Sequence, residues 1–202
     1  MPPSPDLAAL LGRPVLEVAP RLLGAVLRHG DVAVRLTEVE AYDGADDPGS
    51  HAYRGRTTRN AVMFGPPGHL YVYFTYGMHH CCNVVTGQVG TASAVLLRAG
   101  EVVAGVDLAR ARRGGAPDRD LARGPARLCQ ALGLTREHDG AALSGPVLEL
   151  VPGAPATEYE TGPRVGLRGA PDHPWRFWLP GERSVSAYRP AAPLRGRGTP
   201  EL

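Results

Sequence analysis

Two predicted β-hairpins constrain the fold of this chain more than any other feature of its sequence. Each has a turn pair between two β-prone runs: Gly30-Asp31 in the first hairpin and Tyr76-Gly77 in the second. Consecutive strands joined by such short turns lie antiparallel, so the sequence predicts a largely antiparallel sheet. The strands are Ala25–Arg28 and Val32–Tyr42 in the first hairpin, and His69–Phe74 and His79–Thr86 in the second.

Glycine and proline divide the rest of the chain into short elements. Helical spacing of apolar residues is found in Leu7–Leu11, Val15–Leu23, Glu101–Arg113 and Ala126–Leu132. Further short strands are predicted at Ser93–Leu97, Val147–Val151, Arg164–Leu167, Arg176–Leu179 and Ser184–Ala187. No repeat or linker interrupts the pattern, so we expect an α+β fold in one compact mixed domain spanning residues 1–202. Residues 1–6 and 190–202 are expected to form mobile tails.

Composition excludes several classes of protein. All 22 basic residues are arginine, and the absence of lysine excludes enzymes that work through a lysine Schiff base. The net charge of +2 permits a polyanionic partner without requiring one. Three cysteines, two of them adjacent, make a poor disulfide framework, so a reducing cytoplasm is expected. We expect neither a membrane span nor a secretory signal.

The strand Val32–Tyr42 changes from aliphatic to acidic along its length. A carboxylate on the buried side of a strand needs a partner or a function, so the acidic pair Glu38 and Glu40 is a candidate catalytic pair. Strict alternation predicts one face made of Val32, Val34, Leu36, Glu38, Glu40 and Tyr42. The alternative explanation is neutralisation at a sheet edge by Arg35, Arg54 or Arg56.

Tyrosines cluster in the second hairpin. Tyr71 and Tyr73 share a face of its first strand, whereas Tyr76 falls at the tip beside Met78. Tyrosines on strands usually pack half-buried. An aromatic ring and a methionine at an exposed tip are instead typical of a wedge that separates stacked bases.

The segment His79-His80-Cys81-Cys82 has the residue types of a zinc site. Strand alternation turns its members to opposite faces, so four ligands cannot converge from it. We therefore expect no metal and no other cofactor, and we expect the cysteines to be small buried apolar groups.

Asp43–Arg59 is a long polar loop with three arginines, Arg54, Arg56 and Arg59, beside Asn60. Long loops in compact domains are usually functional or disordered. Arginine binds phosphate with two parallel hydrogen bonds, so this loop is a candidate contact to the phosphates of a nucleic acid. The alternative is a solvated loop in an arginine-rich chain.

Several longer strings resemble the alkyladenine (3-methyladenine) DNA glycosylases. They occur in that family's order and cover about residues 16–188. The most specific combination is the tyrosine hairpin MFGPPGHLYVYFTYGMHHCCN (Met63–Asn83) with the upstream strand EVEAYDG (Glu38–Gly44). The other strings are HAYRGRTTRN (His51–Asn60), VLLRA (Val95–Ala99), RDLARGPARLCQALG (Arg119–Gly133), PRVGL (Pro163–Leu167) and RFWLPG (Arg176–Gly181).

The resemblance implies a bacterial-type, monofunctional enzyme of base excision repair with a curved antiparallel sheet flanked by helices. It would flip a damaged purine out of double-stranded DNA and hydrolyse the N-glycosidic bond. Glu40 matches the general base that activates the attacking water, and Arg98 matches the arginine near that water and the lesion's phosphate. The implied lesions are 3-methyladenine and, beyond it, hypoxanthine and ethenoadenine. A monomer in the cytoplasm, associated with the nucleoid and not with a membrane, is expected.

The resemblance also assigns the base-binding pocket. Tyr42, His51 and Tyr73 match the residues that hold the flipped base between them, and Asn83 matches the residue that crowds the exocyclic amine of guanine. The wedge inserted into the duplex would be Tyr76, with Met78 beside it.

Two other classes of protein stay open at the level of sequence. A non-catalytic protein could recognise distorted DNA through the same hairpin, although a pure binder gains nothing from a carboxylate such as Glu40 beside phosphates. A metal-dependent hydrolase could use the histidine and cysteine segment, which the alternation argument disfavours.

Overall fold

The structure, a computed structural model, describes residues 5–75 and 77–192. Its sheet is built around the long strand β2 (Val32–Asp43), whose aliphatic and β-branched residues suit a position buried on both faces. One edge of β2 pairs with β5 (Ser93–Ala104). The other edge pairs first with β1 (Val26–His29) and then with β8 (Arg176–Trp178).

The remaining strands extend this sheet outwards. β3 (Leu70–Thr75) forms one edge and pairs with β4 (His79–Thr86), which pairs with β5. Beyond β1 lies β6 (Leu148–Val151), and β7 (Glu160–Gly162) pairs with β8. Every pairing is antiparallel, so the prediction of an α+β fold with a largely antiparallel sheet, including both hairpins, is confirmed.

Short helices cover one face of the sheet. α4 packs across β4 and β5, and the main core lies between the helices and the aliphatic residues of β1, β2 and β5. The helix predicted at Ala126–Leu132 is found as α4, in which Pro125 follows Gly124 at the start and Gly133 ends the helix. No helix in the described ranges is long and apolar enough to cross a bilayer. The helices are α1 (Pro5–Leu11), α2 (Val15–Val18), α3 (Val106–Arg112) and α4 (Pro125–Leu132), with 3₁₀ turns at Ala19–Leu22, Gly44–Asp46, Ala61–Phe64, Asp118–Asp120 and Arg136–His138.

The predicted tails fall mostly outside the part of the chain that the structure describes, which excludes residues 1–4 and 193–202. Pro5 and Asp6, which the prediction placed in the first tail, belong to helix α1. Helix α1 is held by Leu7, which is buried in the core.

The register of β2 is irregular at Thr37, and this overturns the prediction of one continuous face. Leu36 pairs with Gly100 and Glu38 with Ala99, so Thr37 is an extra residue without a partner on β5. After this bulge the alternation is reversed: Val39 packs in the same core as Leu36, whereas Glu40 lines a pocket. The aliphatic residues and the carboxylates therefore lie on opposite faces of β2.

Three predicted elements are wrong. Residues 101–104, predicted as the start of a helix, continue β5, and helix α3 begins only after Gly105. Gly105 has a φ of 68°, and a Cβ there would lie 2.4 Å from the carbonyl oxygen of Asp31. Residues 164–167 and 184–187 form loops, because their polar groups bond to the side chains of β2 rather than to a neighbouring strand.

The free edge of β3 is covered by the segment that follows α4. The Val72 N–H donates to Asp139 Oδ1 at 2.9 Å, and the Val72 carbonyl accepts a hydrogen bond from Arg136. Leu70 exchanges backbone hydrogen bonds with Gly140 and Ala141 on the same side. An edge strand satisfied in this way is rigid enough to present side chains from its faces.

Candidate active site

A cavity of about 270 Å³ opens where β2, β3, β4 and β5 lie under two loops. Its size is near the lower end of the range for small-ligand sites, about 300–1,000 Å³. It contains aromatic walls and one carboxylate. The lining residues are Glu40, Tyr42, Gly49, His51, Met63, Tyr71, Tyr73, Thr75, Cys81, Asn83, Leu96, Arg98, Pro125, Val165, Gly166 and Leu167.

Glu40 is fully buried at the cavity wall, and each of its carboxylate oxygens accepts a hydrogen bond. The Val165 N–H donates to Oε1 at 2.7 Å, and the Tyr42 hydroxyl donates to Oε2 at 2.9 Å. Arg98 Nε lies 3.5 Å from Oε1. These contacts fix the carboxylate's orientation beside the cavity.

Glu38, the other buried carboxylate of β2, is held more strongly. Its Oε1 accepts hydrogen bonds from Arg176 Nε at 2.6 Å and from Ser186 Oγ at 3.0 Å, and its Oε2 accepts the Ser186 N–H at 2.7 Å. Arg98 Nε lies 2.9 Å from Glu38 Oε1.

The alternative of neutralisation by Arg35, Arg54 or Arg56 is wrong, because the arginines that neutralise the two carboxylates are Arg98 and Arg176. Arg35 forms ion pairs with Glu101 and Glu182 instead. The two loop arginines are exposed.

Arg98 connects the cavity with a second, basic cleft. It is buried, and its Nε has no hydrogen-bond partner among the described residues although it lies close to both carboxylates. The cleft has a volume of about 280 Å³, and three more arginines line it: Arg123, Arg127 and Arg189. An anionic ligand in this cleft would lie directly beside the entrance to the cavity.

The aromatic side chains form two walls. On one side, Tyr73 stacks on Tyr71 with ring centroids 5.6 Å apart, and the His51 ring meets Tyr73 edge-on at 4.6 Å. His51 Nδ1 is also 3.2 Å from the Tyr71 hydroxyl. Tyr71 joins this wall although the sequence analysis did not place it in the pocket; its position on the same face as Tyr73 was the available signal.

Tyr42 forms the other wall and is supported from behind. The Arg164 guanidinium lies 4.6 Å from the Tyr42 ring centroid and 5.1 Å from that of Trp175. Arg164 forms a two-pronged ion pair with Asp47 at 2.5 and 2.7 Å, and both side chains are fully buried. The sequence analysis missed Arg164 and Asp47, because a buried ion pair between distant loops leaves no local pattern.

The aromatic side chains and the cysteine that line the cavity are uncharged near neutral pH. Burial, with the neighbouring Glu40 carboxylate, holds the pKa of Tyr42 well above its ordinary value. Burial also raises the pKa of Cys81 to about 11 and that of Tyr73 well above 10. Desolvation, with the nearby positive charge of Arg59, lowers the pKa of His51 to about 4, so its imidazole is neutral.

Asn83 and Met78 lie far apart on the second hairpin, Asn83 at the cavity and Met78 at the tip. Asn83 is buried, lines the cavity and donates its side-chain N–H to the Tyr71 carbonyl at 3.2 Å. Met78 is 69% exposed at the tip. Tyr76 lies outside the described residues.

The three arginines of the polar loop occupy two different environments. All three side chains are exposed, but only Arg59 among them contacts the pocket: it reaches back over the Tyr73 ring at 5.6 Å, with its Nη2 3.5 Å from His51 Nε2. Asn60 shapes this loop by donating to the carbonyls of His51 and Gly55 at 2.9 and 3.0 Å.

The histidine and cysteine segment alternates as predicted. Cys81 lines the cavity and Cys82 packs in the main core, so their side chains leave β4 on opposite faces. The prediction that the three cysteines are buried is confirmed, and all three are free thiols. Within the described ranges no three histidine, cysteine or carboxylate side chains are arranged to hold a metal ion.

Comparison with known proteins identifies the family. A model of the methylpurine-DNA glycosylase family matches residues 9–183. A Streptomyces avermitilis protein named as a candidate 3-methyladenine DNA glycosylase is 57% identical over 196 residues, covering 92% of each chain. Proteins of the same name from Leifsonia xyli and Burkholderia lata are 59% and 51% identical, covering 86% and 88% of this chain and 88% and 89% of theirs. The chain therefore belongs to the methylpurine-DNA glycosylase family and is a DNA glycosylase, a hydrolase of N-glycosyl bonds.

Proposed function

We propose that this glycosylase removes alkylated purines, 3-methyladenine first among them, from double-stranded DNA by a Glu40-activated water. The observation that carries the proposal is a fully buried carboxylate in the wall of an aromatic pocket that opens beside an arginine-lined cleft. The names of the relatives support the choice of 3-methyladenine. Hypoxanthine and ethenoadenine are the neutral lesions that the same pocket is proposed to accept.

The pocket recognises the base by stacking. A flipped purine lies between Tyr42 on one side and His51 with Tyr73 on the other. Stacking on aromatic faces compensates for the few kcal/mol lost when a base leaves the duplex, and a positively charged methylated purine stacks more strongly than a normal one. Asn83 lies on the cavity wall, where it would crowd the exocyclic amine of guanine and disfavour that base.

Hydrolysis needs a base for water and stabilisation of the sugar. Glu40 takes a proton from water, the water oxygen bonds to the anomeric carbon, and the bond to the purine nitrogen breaks with its electron pair leaving on the purine. The anionic carboxylate also stabilises the oxocarbenium-like sugar as that bond breaks. A 3-methyladenine leaves as a neutral base because it starts with a positive charge. Arg98 orients the water and the phosphate of the lesion.

The surfaces around the pocket bind the duplex. Tyr76 and Met78 at the hairpin tip occupy the space that the flipped nucleotide leaves. Arg54, Arg56 and Arg59 are proposed to contact phosphates, which gives sequence-independent affinity. The substrate places the enzyme at the bacterial nucleoid, in the cytoplasm. One chain supplies the whole proposed pocket, so we propose that it acts as a monomer.

The Glu40→Gln variant tests this function. It removes the proton acceptor but keeps the side-chain volume and the acceptor for the Val165 N–H. We expect base release to fall about 100- to 10,000-fold, while affinity for the lesion duplex stays within about tenfold. The assay measures abasic sites and free 3-methyladenine released from methylated DNA in the presence of EDTA. Glu101→Gln, an exposed position of the same sheet, is the matched control.

Each alternative predicts a different result. Tight lesion binding without release by the wild-type protein would indicate a non-catalytic recognition protein. Activity that is lost in EDTA and restored by zinc would indicate a metal-dependent hydrolase. Wild-type turnover by Glu40→Gln would show that another group is the base.

A further inference from the structure

Two carboxylates of β2 compete for one guanidinium. Arg98 Nε is 2.9 Å from Glu38 Oε1 and 3.5 Å from Glu40 Oε1, so the ion pair with Glu38 is the shorter one. Both carboxylates are fully buried, and Arg98 is nearly so. The proposed reaction uses Glu40 and Arg98, but it leaves Glu38 without a role.

The position of Arg98 affects how well Glu40 can accept a proton. A positive charge within about 4–6 Å of a carboxylate stabilises its ionised form and typically lowers its pKa by 1–3 units. A carboxylate paired directly with arginine is therefore a poor base. A second carboxylate nearby has the opposite effect, because it repels the first and draws the arginine towards itself.

We propose that Glu38 is a positioning residue for base excision: by taking the shorter ion pair with Arg98 it weakens the pull of that arginine on Glu40, and so keeps Glu40 basic enough to take a proton from water. This inference rests on the proposed role of Glu40 as the general base. It assigns a function to the first acidic residue of the EVEAYDG segment.

Glu38 is suited to this role because it cannot move. Arg176 holds Oε1, and the backbone N–H and the hydroxyl of Ser186 hold one oxygen each. Arg176 is itself fixed by a hydrogen bond to the Ser186 carbonyl at 2.8 Å and by its contact with the Trp178 ring at 4.6 Å. The Glu38 charge therefore stays in place when a substrate enters the pocket.

The tyrosines and the cysteine that face Glu40 remain neutral across the acid limb. The His51 imidazole in the same cavity, whose pKa is lowered to about 4 by desolvation, gains a charge at the acidic end of that limb, so the test compares variants that all retain His51. Tyr42 on β2, Tyr73 on β3 and Cys81 on β4 face Glu40, and burial raises the pKa of each. The charged neighbours are Glu38, Arg98 on β5, Arg176 on β8 and Arg164, which lies behind the Tyr42 ring with its own partner Asp47.

The test is the pH dependence of single-turnover base release by Glu38→Gln. Release of 3-methyladenine from methylated DNA is the readout, because this lesion carries a fixed charge and the acid limb then reports on the protein. We expect the half-maximal pH of the acid limb to move about one unit lower and the plateau rate to fall about three- to tenfold. Glu101→Gln, another carboxylate of the sheet that pairs with an arginine, should match the wild-type curve.

A second variant covers the case in which Glu38→Gln does not fold. Ser186→Ala removes one donor to Glu38 and keeps the backbone N–H bond. More of the Glu38 charge then acts on Arg98 and Glu40, so the acid limb should move slightly to higher pH. Thermal unfolding checks that each variant is folded.

The outcomes separate this inference from the function on which it rests. A lower rate with an unmoved acid limb in both variants would reduce Glu38 to a structural role. A wild-type protein that releases no base would overturn the proposed function instead. Opposite shifts in the two variants would establish Glu38 as the residue that positions Arg98.

Discussion

Arg59 lies where the polar loop meets the aromatic wall of the pocket. Its guanidinium contacts the Tyr73 ring and the His51 imidazole, whereas Arg54 and Arg56 of the same loop point to solvent. A positive charge in this position lies within several ångströms of a base stacked on Tyr73. It should therefore weaken the binding of a positively charged purine more than that of a neutral one.

Replacing Arg59 by glutamine should change the enzyme's selectivity between lesions. We expect the efficiency of 3-methyladenine release relative to a neutral lesion such as ethenoadenine to rise about three- to tenfold, the scale of a screened interaction over this distance. Arg56→Gln is the control, and it should weaken both substrates alike. If Arg59→Gln lowers the efficiency of release equally for both lesions, Arg59 acts only as a phosphate contact.

At the scale of elements, two loops are joined behind the Tyr42 wall. The Asp47–Arg164 ion pair links the loop after β2 with residues 163–167, and Arg164 also donates to the Ala41 carbonyl at 2.9 Å. The same second loop supplies the Val165 N–H that orients Glu40. The ion pair thus positions both the stacking wall and the proposed base.

Asp47→Asn should strongly destabilise the fold. It leaves the buried Arg164 charge uncompensated, which typically costs about 3–5 kcal/mol. Denaturant unfolding measures the change. Asp107→Asn, which removes a partner of Arg110 from an exposed ion pair, should change the unfolding free energy far less. A similarly small effect at Asp47 would mean that water or a rearranged loop compensates the arginine.

The elements that could be predicted from sequence are those with a local signal. Turn residues defined both hairpins, and Gly124-Pro125 with Gly133 defined α4. Residues 101–104 could not be assigned correctly, because a short apolar run such as residues 102–104 suits a strand as well as a helix, and pairing with β2 decides between them. The loop at 164–167 has the composition of a strand, but its hydrogen bonds go to Asp47 and Glu40.

At the scale of the whole molecule, the candidate site also divides into residues with a local sequence signal and residues fixed by distant partners. The residues that the resemblance assigned and the structure describes at the pocket lie together around one cavity, but their roles remain predictions. The supporting network of Glu38, Arg176, Ser186, Asp47 and Arg164 could not be foreseen, because it joins loops separated by more than 100 residues.

The net charge of +2 understates how strongly the protein should be attracted to DNA. Exposed arginines are concentrated on the polar loop 43–59 and in the cleft beside the pocket. We expect duplex affinity to fall steeply with salt. Replacing Arg54 or Arg56 by glutamine should lower the slope of log affinity against log salt concentration by about one each, measured by fluorescence anisotropy. Arg110→Gln should leave the slope unchanged, because Asp107 and Asp118 already neutralise that arginine. If the salt slopes of the Arg54 and Arg56 variants are unchanged, these two arginines do not contact the phosphates of the duplex.

The bulge at Thr37 makes the length of β2 as important as its composition. Because side chains alternate with a period of two, a regular strand of the same sequence would turn Glu38 and Glu40 into the aliphatic core. The extra residue at Thr37 keeps them on the opposite face. A substitution at Thr37 keeps the spacing, whatever side chain it introduces. When related chains are aligned, a one-residue gap here would therefore mark a regular strand that still carries both glutamates opposite the core. A chain of unchanged length that lost the bulge would instead turn them into the core.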